Sequence, residues 1–181
     1  MKRHEFEHAV RAAGAILETK ELLVIGSQAL HASRPKKFPK EAERSVEVDI
    51  AALDDSNGRK ADLLDGSIGE ASMFHEAFGY YAQGVTTKTA ILPKNWRKRL
   101  VRYETAATRP VVAWCLEIHD LWISKAIAGR PKDLEFCAAL LKAGAVDPGI
   151  LLRRLATVAG LDEEVKNAVV HRIHRKSFST M

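Results

Sequence analysis

The stretch Ser45-Val46-Glu47-Val48-Asp49-Ile50 restricts the fold of this chain more than any other. Its alternation places Val46, Val48 and Ile50 on one face of a strand and Ser45, Glu47 and Asp49 on the other. The apolar face anchors the strand in a core, and the two carboxylates then leave it from the opposite face. Residues two apart on a strand are about 7 Å apart at the backbone, close enough for their carboxylates to converge on one cation. Magnesium suits such a pair, because it takes one or two carboxylates and completes its shell with water and substrate phosphate. The structural alternative is a solvated acidic face on an edge strand.

Leu22-Leu23-Val24-Ile25 is a short, fully apolar run that stops at Gly26, the pattern of a buried strand meeting a turn. Ser27-Gln28-Ala29-Leu30-His31-Ala32 reads as the start of a helix. Gly26 lets backbone approach a phosphate closely, and Ser27 adds a hydroxyl at the positive end of that helix. Together they form an anion seat, or in the plainer reading a turn and a cap.

Elsewhere the pattern is coarser. Residues 4–19 repeat apolar positions at helical spacing and predict an amphipathic helix packed across a sheet. Pro35 and Pro39 among Arg34, Lys36, Lys37 and Lys40 make residues 33–44 a basic loop. A turn at 54–58 leads to a weak helix over 59–72 and a strand over 78–85. Residues 86–92 read as a continuation of the sheet, 93–96 as a turn, and 100–106 and 111–116 as further strands. Helices follow over about 118–129, 132–143, 148–158 and 162–175, punctuated by Gly129, Pro131, Gly144, Pro148 and Gly160. The expected organisation is an α/β (α+β) domain over 1–110 with a mixed sheet and flanking helices, then a helical lobe over 111–181. A cleft between the two is the default site.

Composition narrows the class. With 46% hydrophobic and 28% charged residues, the chain is neither disordered nor fibrous. No apolar run approaches the roughly 20 residues needed to span a bilayer, and Met1-Lys2-Arg3-His4-Glu5 lacks a signal-peptide pattern, so a cytoplasmic protein without membrane partners is expected. Cys115 and Cys137 offer no disulfide framework and read as small buried residues. A net charge of +5 favours a polyanionic partner.

Other signals carry less weight. His4-Glu5-Phe6-Glu7-His8 matches His-Glu-x-x-His, but no third zinc ligand follows, and a solvated helix face is the better reading. Lys94, Arg97, Lys98, Arg99 and Arg102 surround Trp96, and the tail holds His171, Arg172, His174, Arg175 and Lys176; both are RNA-binding surfaces or ordinary solvated ones. Tyr80, Tyr81, Phe74 and Phe78 read as core, and Ser124 has no triad context.

The order strand, Gly-Ser, helix, basic loop, acid-apolar-acid strand resembles the minimal nucleotidyltransferase fold. It is carried by Val24-Ile25-Gly26-Ser27-Gln28-Ala29-Leu30 and Arg44-Ser45-Val46-Glu47-Val48-Asp49-Ile50. A second block, Leu116 to Arg130 followed by Lys132-Asp133-Leu134-Glu135-Phe136, is similar to the bacterial branch of abortive-infection and toxin–antitoxin nucleotidyltransferase toxins. This resemblance implies Glu47 and Asp49 as magnesium ligands and catalytic residues, and Gly26 and Ser27 on the triphosphate. It further implies Lys125, Arg130 and Lys132 on the nucleotide, with Lys125 and Asp133 also catalytic. It implies a nucleoside triphosphate substrate, an RNA acceptor (the tRNA 3′ end among the candidates) or a protein acceptor, and an antitoxin partner. The chain departs from that pattern at Glu47, where aspartate is commoner, and in lacking an evident third acid, for which Glu76 is the candidate. A catalytically silent interaction protein and a basic RNA-binding module stay open beside the enzyme.

Overall fold

The computed structural model describes residues 1–33 and 44–174. The basic loop falls almost entirely on 34–43 and the end of the tail on 175–181, outside the described residues.

Helix α1 (Arg3–Ile16) turns Phe6, Ala9, Val10 and Ala13 inward and lies against β1 (Glu21–Val24), β2 (Glu47–Ala51), β3 (Tyr81–Gly84) and helix α3 (Arg59–Ile68). Leu22, Leu23 and Val24 are fully buried, as a strand covered on both faces must be. A 3-10 turn (Ser27–Ala29) and short helix α2 (Leu30–Ser33) follow β1. Strand β2 keeps the expected alternation, burying Val48 and Ile50 and leaving Glu47 and Asp49 partly accessible. Val46, just before it, is 47% exposed, so the apolar face is covered only from Val48 on.

The five strands are ordered β3-β2-β1-β5-β4, with β4 at Val101–Tyr103 and β5 at Val112–Cys115. Pairing is antiparallel for β1/β2 and β4/β5 and parallel for β1/β5 and β2/β3, so the sheet is mixed. Strand β5, which lies beyond residue 110, sits inside the sheet between β1 and β4.

The strand predicted over 78–85 is shorter than its pattern. Residues Met73–Phe78 form helix α4, capped by the Ser72 hydroxyl at the His75 amide and ended by Gly79 at φ 76°, where the left-handed turn favours glycine. Phe74 and Phe78 are an i,i+4 pair whose rings lie 4.8 Å apart and pack on His8, a helical spacing that reads as strand hydrophobicity. Residues 86–92 do not extend the sheet; they form turns, one closed by the Thr89 amide on the Thr86 carbonyl. Beyond Asn95 a 3-10 turn, Trp96–Arg99, leads into β4.

Helices α5 (Ile118–Ala128), α6 (Pro131–Lys142), α7 (Pro148–Leu155) and α8 (Glu163–His174) complete the chain. Trp122 is fully buried, and its indole Nε1 donates to the Cys137 carbonyl at 2.9 Å, tying α5 to α6. Both cysteines are buried, and burial pushes the Cys137 thiol up to about 12. Among the described residues no helix is long and apolar enough to cross a membrane.

Candidate active site

Strand β1 delivers Gly26 to the end of the sheet, where the Ile25 amide donates to the Asp49 carbonyl at 3.2 Å. Gly26 adopts φ −82° and ψ −165°, extended backbone open to any residue. Its lack of a side chain matters for space: a Cβ there would overlap Oδ2 and Cγ of Asp49. The carboxylate of Asp49 therefore lies directly on the Gly26 backbone. Ser27 opens the 3-10 turn, and its Oγ receives Gln28 Nε2 at 3.5 Å.

A cleft opens over this contact. Gly26 and Asp49 line one side, Ser124, Lys125 and Arg130 the other, with Ile25, Val85 and Leu121 as apolar floor. It holds about 480 Å³ of space free of atoms, open mouth included. Leu121, Ser124, Lys125 and Ala128 are one stripe of α5 at i, i+3, i+4, i+7, so the helix presents a whole face to the cleft. Ser124, Thr89 and Ala90 are lining residues that sequence reading did not place here; the α5 periodicity around Lys125 contained the signal for the first.

The predicted charged residues converge. Asp133 is fully buried, with Lys125 Nζ 2.8 Å from its Oδ1 and Arg130 Nε 2.5 Å from its Oδ2. Burial pushes the Asp133 carboxyl upward, but hydrogen bonds from Arg130 and Lys125 outweigh it and hold the group below the usual carboxylate range. Lys132 Nζ reaches Glu47 Oε1 at 3.3 Å, and the Tyr81 hydroxyl donates to Glu47 Oε2 at 3.1 Å. Burial, then the charge of Glu47, raises the Tyr81 phenol to about 12, so it stays a donor.

Asp49 stands apart. No hydrogen bond or ion pair holds its carboxylate among the described residues, and burial and the neighbouring Glu47 raise its pKa despite the charges of Lys125, Lys132 and Arg130. A desolvated carboxylate without a partner is costly, and such groups concentrate where a ligand completes them. The donor set suits a magnesium ion: two oxygen-bearing side chains from one strand, room for phosphate oxygens, and cations behind. Asp49 and Glu47 would hold it.

Strand register answers where a third acid would sit. Tyr81 pairs with Glu47 and Gln83 with Asp49, so β3 offers a phenol and an amide there. Glu76 is exposed on α4, and no hydrogen bond links it to Glu47 or Asp49. Among the described residues no group of three or more His, Cys, Asp or Glu side chains is arranged for a metal. The His-Glu-x-x-His segment is used otherwise: His8 Nδ1 meets the Tyr80 hydroxyl at 2.7 Å, and Glu5 accepts the Lys2 amide at 2.6 Å.

A mixed sheet flanked by helices, with a Gly-Ser turn facing an acid pair on the adjacent strand, defines a nucleotidyltransferase-like protein. Residues 5–177 match the family described as "Nucleotidyltransferase of unknown function (DUF6036)", and the chain belongs to that family. Comparison with curated proteins and with solved structures gave no match.

Proposed function

We propose that the cleft binds a nucleoside triphosphate with Mg²⁺ and transfers its nucleotidyl group to an acceptor hydroxyl, on RNA such as a tRNA 3′ end or on protein. The observation that supports this best is the unpartnered, desolvated Asp49 carboxylate lying on Gly26 and facing Lys125 and Arg130. In the reaction the acceptor oxygen bonds to the α-phosphorus, the bond from that phosphorus to the oxygen bridging to the β-phosphorus breaks, pyrophosphate leaves with that oxygen, and the hydroxyl proton passes to solvent. Bound metal supplies charge neutralisation on the phosphates. Lys125, Arg130 and Lys132 bind and orient the triphosphate, and the apolar floor excludes water. Asp133, with both oxygens occupied, acts through Lys125 and Arg130 as a positioning residue.

Labelled triphosphate incubated with Mg²⁺ and total cellular RNA leaves label on an acceptor, and Asp49→Asn or Glu47→Gln abolishes it. Labelling that persists in both variants removes the assignment. The toxin reading belongs to the same proposal: induced expression arrests growth, Asp49→Asn relieves the arrest, and a protein encoded as antitoxin restores growth. A second reading, a nucleotide-binding protein that transfers nothing, is favoured by an uncharged residue, Gln83, at the β3 position that pairs with Asp49. It predicts a nucleotide-dependent rise in melting temperature with no labelled acceptor.

A further inference from the structure

Residues 77–103 carry Lys88, Lys94, Arg97, Lys98, Arg99 and Arg102 and no carboxylate. Two of these cations are committed within the fold, Arg99 to Asp120 and Arg102 to Glu104. Lys94, Arg97 and Lys98 are exposed, and none has a carboxylate partner among the described residues. Between them Trp96 is half-buried against the core, with the Arg97 guanidinium 4.9 Å from its ring centroid.

This charge is presented on a fixed support. Arg99 donates to both Asp120 oxygens at 2.8 and 3.1 Å and to the Lys94 carbonyl at 3.0 Å. Arg154 reaches the same Asp120 at 3.0 Å, and the Lys94 amide meets the Thr157 carbonyl at 3.4 Å. The location is also fixed. Val101, two residues after Arg99, pairs with Cys115, which pairs with Val24 just before the Gly26 turn. Two interstrand spacings, about 10 Å, therefore separate β4 from the strand that leads into the cleft. Asp120 lies one helical turn before Ser124, a cleft residue.

We infer that the Trp96–Arg99 turn is the docking surface for the acceptor and that the acceptor is single-stranded RNA; this rests on the reading of the cleft as a nucleotidyl-transfer site. Lys94 and Lys98 meet backbone phosphates, and the Arg97 guanidinium, backed by the Trp96 indole, offers a flat cationic face to a base. Exposed cations interleaved with an aromatic–guanidinium pair match single-stranded RNA, in which every nucleotide brings both a phosphate and a π-face.

The test is fluorescence anisotropy of a short labelled single-stranded RNA with the full chain, across a salt series. The triple variant K94A/R97A/K98A is expected to bind at least about tenfold more weakly at low salt and to flatten log Kd against log salt by about 1.4, from two phosphate contacts at about 0.7 each. K94R/K98R, which keeps the charge, binds as the parent does. The nucleotide-and-Mg²⁺ shift in melting temperature stays unchanged in both, since neither touches the cleft. Parent-like affinity and salt slope in the triple variant overturn the inference, as does loss of binding in K94R/K98R or transfer of label to a protein with RNA unbound. Asp49→Asn separates the two proposals: it loses the nucleotide shift and keeps RNA binding. A parent chain with no nucleotide shift removes the cleft reading and with it the acceptor role; an intact shift without salt-dependent RNA binding removes the docking surface alone.

Discussion

The carboxylate of Asp49 packs on the backbone of Gly26, leaving no room between them for even a methyl group. Gly26→Ala must therefore push Asp49 aside. Overpacking of this kind costs about 1–3 kcal/mol. The expected result is a lower melting temperature together with loss of the Mg²⁺- and nucleotide-dependent shift; a variant with a parent-like shift would show that the contact is incidental to binding.

Asp49→Asn is expected to raise thermal stability while abolishing transfer, the trade-off of a site kept strained for a ligand. The sign follows from linkage. Asp49 has a folded pKa above its unfolded one, so the folded state holds its proton more tightly, and stability falls as pH rises from about 3.8 through the raised value. Urea unfolding of parent and variant over that interval reads the difference, which should be greatest above it.

Asp133 joins Lys125 and Arg130, so Asp133→Ala leaves the nearly buried Lys125 without its partner. A loss of about 2–4 kcal/mol is expected from breaking such a buried pair. Lys125→Met in the same chain should recover part of it, and a double-mutant cycle by denaturant unfolding measures the coupling. Fully additive losses would mean that the contact contributes nothing.

At the start of α5, Glu117 accepts from the His119 amide and ring and from Arg154. Burial pushes its carboxyl up, but the bonds from His119 and Arg154 prevail and bring it to about 2. Its contribution is present above the unfolded value of 4.5 and is lost as pH falls from there toward 2. The upper bound is ~3 kcal/mol from the size of that shift. Glu117→Gln should be less stable at neutral pH and less sensitive to acid than the parent, read from unfolding free energies at several pH values.

The acid strand and the Gly-Ser turn were legible because strand periodicity is local and both depend on neighbours along the chain. Val48 and Ile50 bury as alternation requires, and Glu47 and Asp49 leave the other face. The reason for Gly26 was not legible, since the group it makes room for lies on another strand. Tyr81 was assigned to the core and is buried there, yet its hydroxyl reaches Glu47, which only the β2/β3 register reveals. The pattern assigns Phe78 to a strand and leaves 73–77 without an element because aromatic content signals strand, while the Ser72 cap and the Gly79 stop make Met73–Phe78 a helix.

The position of β5 sets a schedule for assembly. Strand β1 pairs in parallel with residues 112–115, so its second neighbour is synthesised about ninety residues after it. Until then one edge of β1 is open, and the turn that carries Gly26 is held from the β2 side alone. A ribosome-bound chain ending near residue 110 should remain protease-sensitive around 21–30. Resistance should appear only once the sequence through Leu116 has emerged, which makes nucleotide binding a late event in the birth of this protein.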